Sequence, residues 1–126
     1  MTFGGKSLTK SDLARREAIH AGNCMACAQI GENLTNSGYV QWHHTAGKKH
    51  HQLTCGLCQW HHMGRPMYGL SHQECRDRFG PSLAEGSKPF HARFGANSAL
   101  LAKQNALLGI ETKDARNFDG LLQRME

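Results

Sequence analysis

GYVQWHHTAGKKHHQLTCGLCQWHHMG, residues 38–64, changes its periodicity twice and thereby sets the fold. Gly38 to Trp42 alternates apolar with polar residues as a strand does and delivers the chain to His43 and His44. Gln52 to Leu57 reads as the return strand, with Leu53, Cys55 and Leu57 on one face. Cys58 to Met63 then opens a short helix that Gly64 and Pro66 stop. The pattern is strand, loop, strand, helix, and it carries an unusual load of ligand-type side chains. Between Cys24 and His62 lie four of the five cysteines and six of the nine histidines.

Thiolates and imidazoles in such register point to metal ligation rather than to disulfides. Cys24 and Cys27 form a C-x-x-C knuckle, whose two thiolates converge on one tetrahedral zinc ion. A second pair is required, and two are on offer: Cys55 with Cys58, or Cys58 with His61. Cys55 is in phase with Leu53 and Leu57, as a buried strand cysteine would be, which favours Cys58 with His61; the four-cysteine alternative stays open. Cys75 has no partner at ligand spacing and reads as an ordinary thiol.

A structural zinc site closes with four protein ligands, so His43, His44, His50, His51 and His62 need another role. At a strand end His43 and His44 point to opposite sides, so that one can bind a second metal while the other faces substrate. His62, beside His61 on the following helix, can reach back to that metal. Such a layout keeps coordination positions open for water and a phosphate oxygen, with a neutral imidazole beside them as general base.

Outward from this centre the chain reads as helices. Thr9 to Ala21 is a first helix capped by Thr9 or Ser11, with Leu13, Ile19 and Ala14 or Ala18 on its inner side and Gly22 as its stop. Ser71-His72-Gln73-Glu74 is a capping box for a helix running to Arg78, ahead of the Gly80-Pro81 break. Ser87-Lys88-Pro89 starts another. Asn97 to Leu108 places Leu100, Leu101, Leu107 and Leu108 on one packing stripe, and Lys113 to Met125 suggests a last helix.

The 126 residues suit a single domain, 1–126, of α+β class, in which a zinc-stapled core over about residues 38–64 is flanked by helices. No secretory-type apolar stretch opens the chain and no apolar run is long enough to span a bilayer, so the expectation is a soluble, cytoplasmic protein without a membrane partner. Fifteen Lys and Arg against ten Asp and Glu give a formal charge of +5, a field that suits a polyanion. Lys48, Lys49 and His50 in the loop between the strands, and Arg65 after the short helix, are placed to meet phosphate. His91, between Phe90 and the Arg93-Phe94 pair, reads more readily as a packed residue than as a ligand; Trp42 and Trp60 read as core.

Cys24-x-x-Cys27, Trp42-His43-His44, His51 and Leu57-Cys58-Gln59-Trp60-His61-His62 together resemble the HNH, or ββα-metal, nucleases. Gly80-Pro81-Ser82-Leu83-Ala84 followed by Ser87-Lys88-Pro89-Phe90-His91-Ala92-Arg93-Phe94-Gly95 resembles the phage recombination-enhancement function (Ref) proteins, described as RecA-dependent nucleases. The two resemblances cover roughly residues 9 to 109. They imply that His44 is the general base, that His43 and His62 hold the catalytic ion, and that His51 stands where the family carries an Asn that braces the base-bearing loop. They further imply a structural Zn2+, a second divalent ion (Mg2+, Mn2+ or Zn2+), DNA as substrate and a RecA filament as partner, in a bacterial or phage-infected cytoplasm. A noncatalytic zinc-binding DNA-binding module and a phage junction resolvase are the alternatives. Neutral His44 is needed for such chemistry, so an unperturbed imidazole would lose activity below about pH 6.5.

Overall fold

The computed structural model describes residues 2–3 and 6–109. A small antiparallel ribbon, β1 (Thr2–Phe3) with β2 (Lys6–Ser7), precedes α1 (Lys10–Ala21). Thr9 caps α1 through a capping box: its Oγ1 accepts from the Asp12 N–H, and the Asp12 carboxylate accepts from the Thr9 N–H. The face that α1 buries is Asp12, Arg15 and Ile19, at the three- and four-residue steps of a helical stripe, whereas Ala14 and Ala18 are exposed. The apolar pattern misplaced this face because polar side chains make the contact. Arg15 Nε donates to Thr54 Oγ1 at 2.9 Å and Arg15 Nη2 to the Thr54 carbonyl at 2.6 Å, so its guanidinium docks the helix on the hairpin.

That hairpin is β3 (Val40–His44) paired antiparallel with β4 (Thr54–Cys58), in the register Val40 with Cys58, Trp42 with Gly56 and His44 with Thr54. Both histidines lie within β3 rather than after it, and β4 begins at Thr54 rather than Gln52. The 45–53 loop accounts for the shift: the Thr45 N–H and hydroxyl both donate to the Leu53 carbonyl, at 3.0 and 2.7 Å, closing the loop on itself. Gly56 lets α1 and the chain leading into Cys24 approach β4; a Cβ there would stand 2.8 Å from Val40 Cγ1 and 3.0 Å from the Asn23 carbonyl oxygen.

α2 (Gln59–Met63) follows β4 without a linker, with Cys58 as N-cap and Gly64 in the left-handed region at φ 70° ending it. α3 (His72–Phe79) carries the Ser71–Glu74 capping box. Two 3₁₀ turns, Cys27–Ile30 and Leu83–Glu85, and the helices α4 (Ser87–Phe94) and α5 (Asn97–Leu108) complete the described chain. Leu100 and Leu101 are buried as the α5 stripe requires, but Leu107 is 64% exposed. Its inward place is taken by Gln104 and Asn105, because Gln104 Oε1 accepts the Gly56 N–H at 2.8 Å. The expected helix Lys113 to Met125 lies outside the described residues. The core gathers Ile19, Leu34, Val40, Leu57, Trp60, Phe79, Phe90, Phe94 and Leu100 around the cysteines.

Candidate metal centre and histidine cleft

Cys24, Cys27, Cys58 and His61 are all fully buried, and their ligand atoms lie within 4.8 Å of one another. His61 Nδ1 stands 3.5 Å from Cys24 Sγ, 3.5 Å from Cys27 Sγ and 3.2 Å from Cys58 Sγ, while Cys27 Sγ and Cys58 Sγ are 3.8 Å apart. A tetrahedron built on Zn–S of about 2.3 Å and Zn–N of about 2.0 to 2.1 Å has S···S edges of about 3.8 Å and S···N edges of about 3.6 Å. The donor set therefore fits a structural zinc in chemistry and in size. Cys55 is fully buried on β4 and stands outside the group, its thiol pushed up to about 12 by burial.

Backbone N–H groups point at two of the three sulfurs. The Cys27 N–H donates to Cys24 Sγ at 3.3 Å and the His61 N–H to Cys58 Sγ at 3.4 Å, the backbone contacts that a C-x-x-C turn and an N-cap produce. Burial raises the Cys24 thiol, but hydrogen bonds with Cys27, Cys58 and His61 outweigh it and hold Cys24 well below the usual thiol value. Hydrogen bonds with Cys24 and Cys58, then burial, push Cys27 up, and the bond with Cys24 does the same to Cys58. Behind His61, Nε2–H donates to the Phe79 carbonyl at 2.8 Å, which fixes the tautomer with the Nδ1 lone pair facing the thiols. The neighbouring Gly80 carbonyl accepts from Trp60 Nε1 at 2.9 Å, so the open C-terminal carbonyls of α3 hold two successive side chains of α2.

On the hairpin, alternation separates the residues into two sets. Gln41 and His43 share one face of β3; Trp42 and His44 share the other. The His43 ring meets His62 from α2 edge-on, with centroids 4.9 Å apart, and His62 Nδ1 donates to Gln41 Oε1 at 2.7 Å, leaving the lone pair on Nε2. On the opposite face His44 Nε2 lies 3.2 Å from Nδ1 of His51, which is 4% exposed and stacks on Trp42. The His51 carbonyl accepts from Thr54 Oγ1, the atom that accepts from Arg15, so a relay running from α1 fixes the partner of His44.

His43, His44 and His91 line one cleft of about 240 Å³, together with Thr45, Ser87 and Asn97. Burial, then the neighbouring His62, His44 and His91, depress the His43 imidazole to about 3. Burial, then His51 and His62, depress His44 to about 4, and burial lowers His62 as well. Near neutral pH these rings are uncharged, the form that a metal ligand or a general base requires. The ordinary value expected for His44 is thus replaced by a lower one. Several residues of the site escaped the reading of the sequence. Gln41 was within reach of it, being two residues before His43 on the same strand face; Arg15, Ser87 and Asn97 carry no local signal. His91, read as a packed residue, is half-buried and faces the cleft. Lys48, Lys49 and Arg65 are exposed and take no part in the ion pairs found among the described residues.

Fold and site define a small α+β protein with a buried three-cysteine, one-histidine cluster of the kind that holds zinc, set against a polar cleft lined with imidazoles. Residues 9–109 match the family described as recombination enhancement, RecA-dependent nuclease, and the chain belongs to it. The family name is that of a nuclease, an enzyme acting on DNA in recombination and depending on RecA. Comparison with curated proteins returned no match. Among the described residues no helix is long and apolar enough to cross a membrane.

Proposed function

We propose that the chain is a metal-dependent endonuclease of HNH type that hydrolyses DNA phosphodiester bonds, working on DNA coated by a RecA filament. The observation that carries this reading is the meeting of two faces at one cleft: His43 against His62 on one side, His44 buttressed by His51 on the other. Cys24, Cys27, Cys58 and His61 hold a structural zinc that fixes α2 against the hairpin. His43 and His62 hold a second, exchangeable divalent ion, Mg2+, Mn2+ or Zn2+, which when bound supplies Lewis acidity toward a phosphate oxygen and the departing alkoxide.

The protein's own residues do the rest. His44, kept neutral by burial, takes a proton from the attacking water, and His51 holds its ring in place and shares the positive charge that results. Gln41 turns the Nε2 of His62 toward His43 by occupying Nδ1. Lys48, Lys49 and Arg65 meet flanking phosphates from exposed positions.

Substituting His44 by Ala tests the reading. The variant should fold, keep its tight zinc and bind DNA as the parent does, yet cut about 10²- to 10⁴-fold more slowly, the usual contribution of a positioned acid–base group. If cleavage persists at the parental rate, the chain is a zinc-bearing DNA-binding module and not an HNH enzyme.

A further inference from the structure

Two imidazoles leave the exchangeable ion short of protein ligands, since catalytic sites commonly keep three and give the remaining positions to water or substrate. α2 has nothing more to offer: after His62 come Met63, the helix-ending Gly64, Arg65 and Pro66. The wall opposite belongs to α4. We propose that His91 is a further protein ligand of that ion, entering the centre from α4 through its Nε2. The inference rests on the assignment of His43 and His62 to the same ion.

Three observations support it. His91 lines the cleft that His43 and His44 line. Its Nδ1–H donates to the Gly95 carbonyl at 2.8 Å, so the lone pair sits on Nε2. The same device orients the staple's own imidazole, His61, whose Nε2–H donates to the Phe79 carbonyl, and His62, whose Nδ1–H donates to Gln41. In each case one ring nitrogen is occupied by an oxygen acceptor, the arrangement characteristic of a ligating histidine. Asn97 at the start of α5 supplies the third: it lines this cleft, and its side-chain oxygen is buried with no hydrogen-bond partner among the described residues, as befits a wall that meets a cation or its waters. The three imidazoles do not crowd to within 4.8 Å as the staple's ligands do. Ligands at about 2.1 Å from one ion lie at most about 4.2 Å apart, so loading draws at least one ring inward and leaves room for water.

The competing role is a helix cap, in which the Nδ1–Gly95 bond is all that His91 provides. His91→Asn separates the two, because its amide can still donate toward Gly95 while nothing remains at the position of Nε2. The measurement is calorimetric titration of Mn2+ into the zinc-loaded full chain, with bound zinc counted in parallel. In both His91→Asn and His91→Ala the tight zinc should stay at one per chain while the Mn2+ affinity falls at least about tenfold. Parental Mn2+ affinity in His91→Asn would overturn the proposal and leave His91 a cap, and that variant decides alone should His91→Ala fail to fold. A parent that takes up no Mn2+, or a His43→Ala variant that binds it as well as the parent, would instead remove the underlying assignment of the ion.

Discussion

Replacing Gly56 by Ala adds one methyl group at the most crowded point of the hairpin. Its Cβ would sit 2.8 Å from Val40 Cγ1, 3.0 Å from the Asn23 carbonyl oxygen and 3.3 Å from Ile19 Cγ2. Val40 can turn aside, but the Asn23 carbonyl is backbone one residue before the zinc ligand Cys24, and the Gly56 carbonyl itself accepts the Met25 N–H at 2.8 Å. Overpacking of this kind costs about 1 to 3 kcal/mol. The smaller unfolded-state entropy of Ala returns about 0.4 to 1 kcal/mol, so a net loss of about 1 to 2 kcal/mol is expected. For a chain of 126 residues that is a fall of about 3 to 12 °C in Tm. Differential scanning calorimetry of the zinc-loaded protein measures it, and repeating the substitution in a Val40→Ala background identifies the cause. With Cγ1 gone the shortest contact is gone, and the penalty should shrink by about 0.5 kcal/mol or more. Stability within about 0.5 kcal/mol of the parent, or a penalty indifferent to Val40, would refute the packing argument.

Cys27→Ser should lose the tight zinc and most of its near-ultraviolet circular dichroism at 37 °C, since the ion's binding energy is folding energy in so small a core; a folded, zinc-free variant would contradict the staple. The pH profile of cutting follows from the depressed His44. Its folded value of about 4 lies below the ordinary 6.5, so the neutral base persists down to about pH 4 and is lost only below it. Initial rates between pH 5 and 8 should show no acid limb belonging to His44, and a midpoint near 6.5 that moves in a His51 variant would show that His44 titrates normally. Gln41→Leu removes the acceptor that orients His62 and should weaken the exchangeable ion about 10- to 100-fold without disturbing the tight zinc; equal Mn2+ affinity in the two proteins would count against the positioning role.

What the sequence made legible was whatever is encoded within a few residues. The Ser71–Glu74 capping box, the Gly64 stop and the two knuckle spacings are local chemistry, and the helices and the hairpin stand close to where those signals put them. The inner face of α1 was not legible, because Asp12 and Arg15 are held by Gln52 and Thr54, forty and thirty-nine residues away. Gln104 displaces Leu107 from the inner face of α5 for the same reason, its partner Gly56 being forty-eight residues upstream. Cys55 and His61 stand at equal spacing from Cys58, and only the turn of the chain from strand into helix separates them: Cys55 lies in β4, opposite His43, whereas His61 is held to Cys58 by the N-cap of α2. His91 illustrates the remaining gap, since helix periodicity says nothing about which distant strand a side chain will face.

α2 is five residues long, too short to persist by itself, and it carries His61 and His62 side by side. Successive helical residues diverge by about 100°, so this one turn aims one imidazole into the buried cluster and the next against His43. On the proposed assignment, a freshly synthesised copy cannot aim His62 until metal has seated His61. Maturation would then run in a set order, and a newly made chain starved of zinc would be harmless to the genome that encodes it.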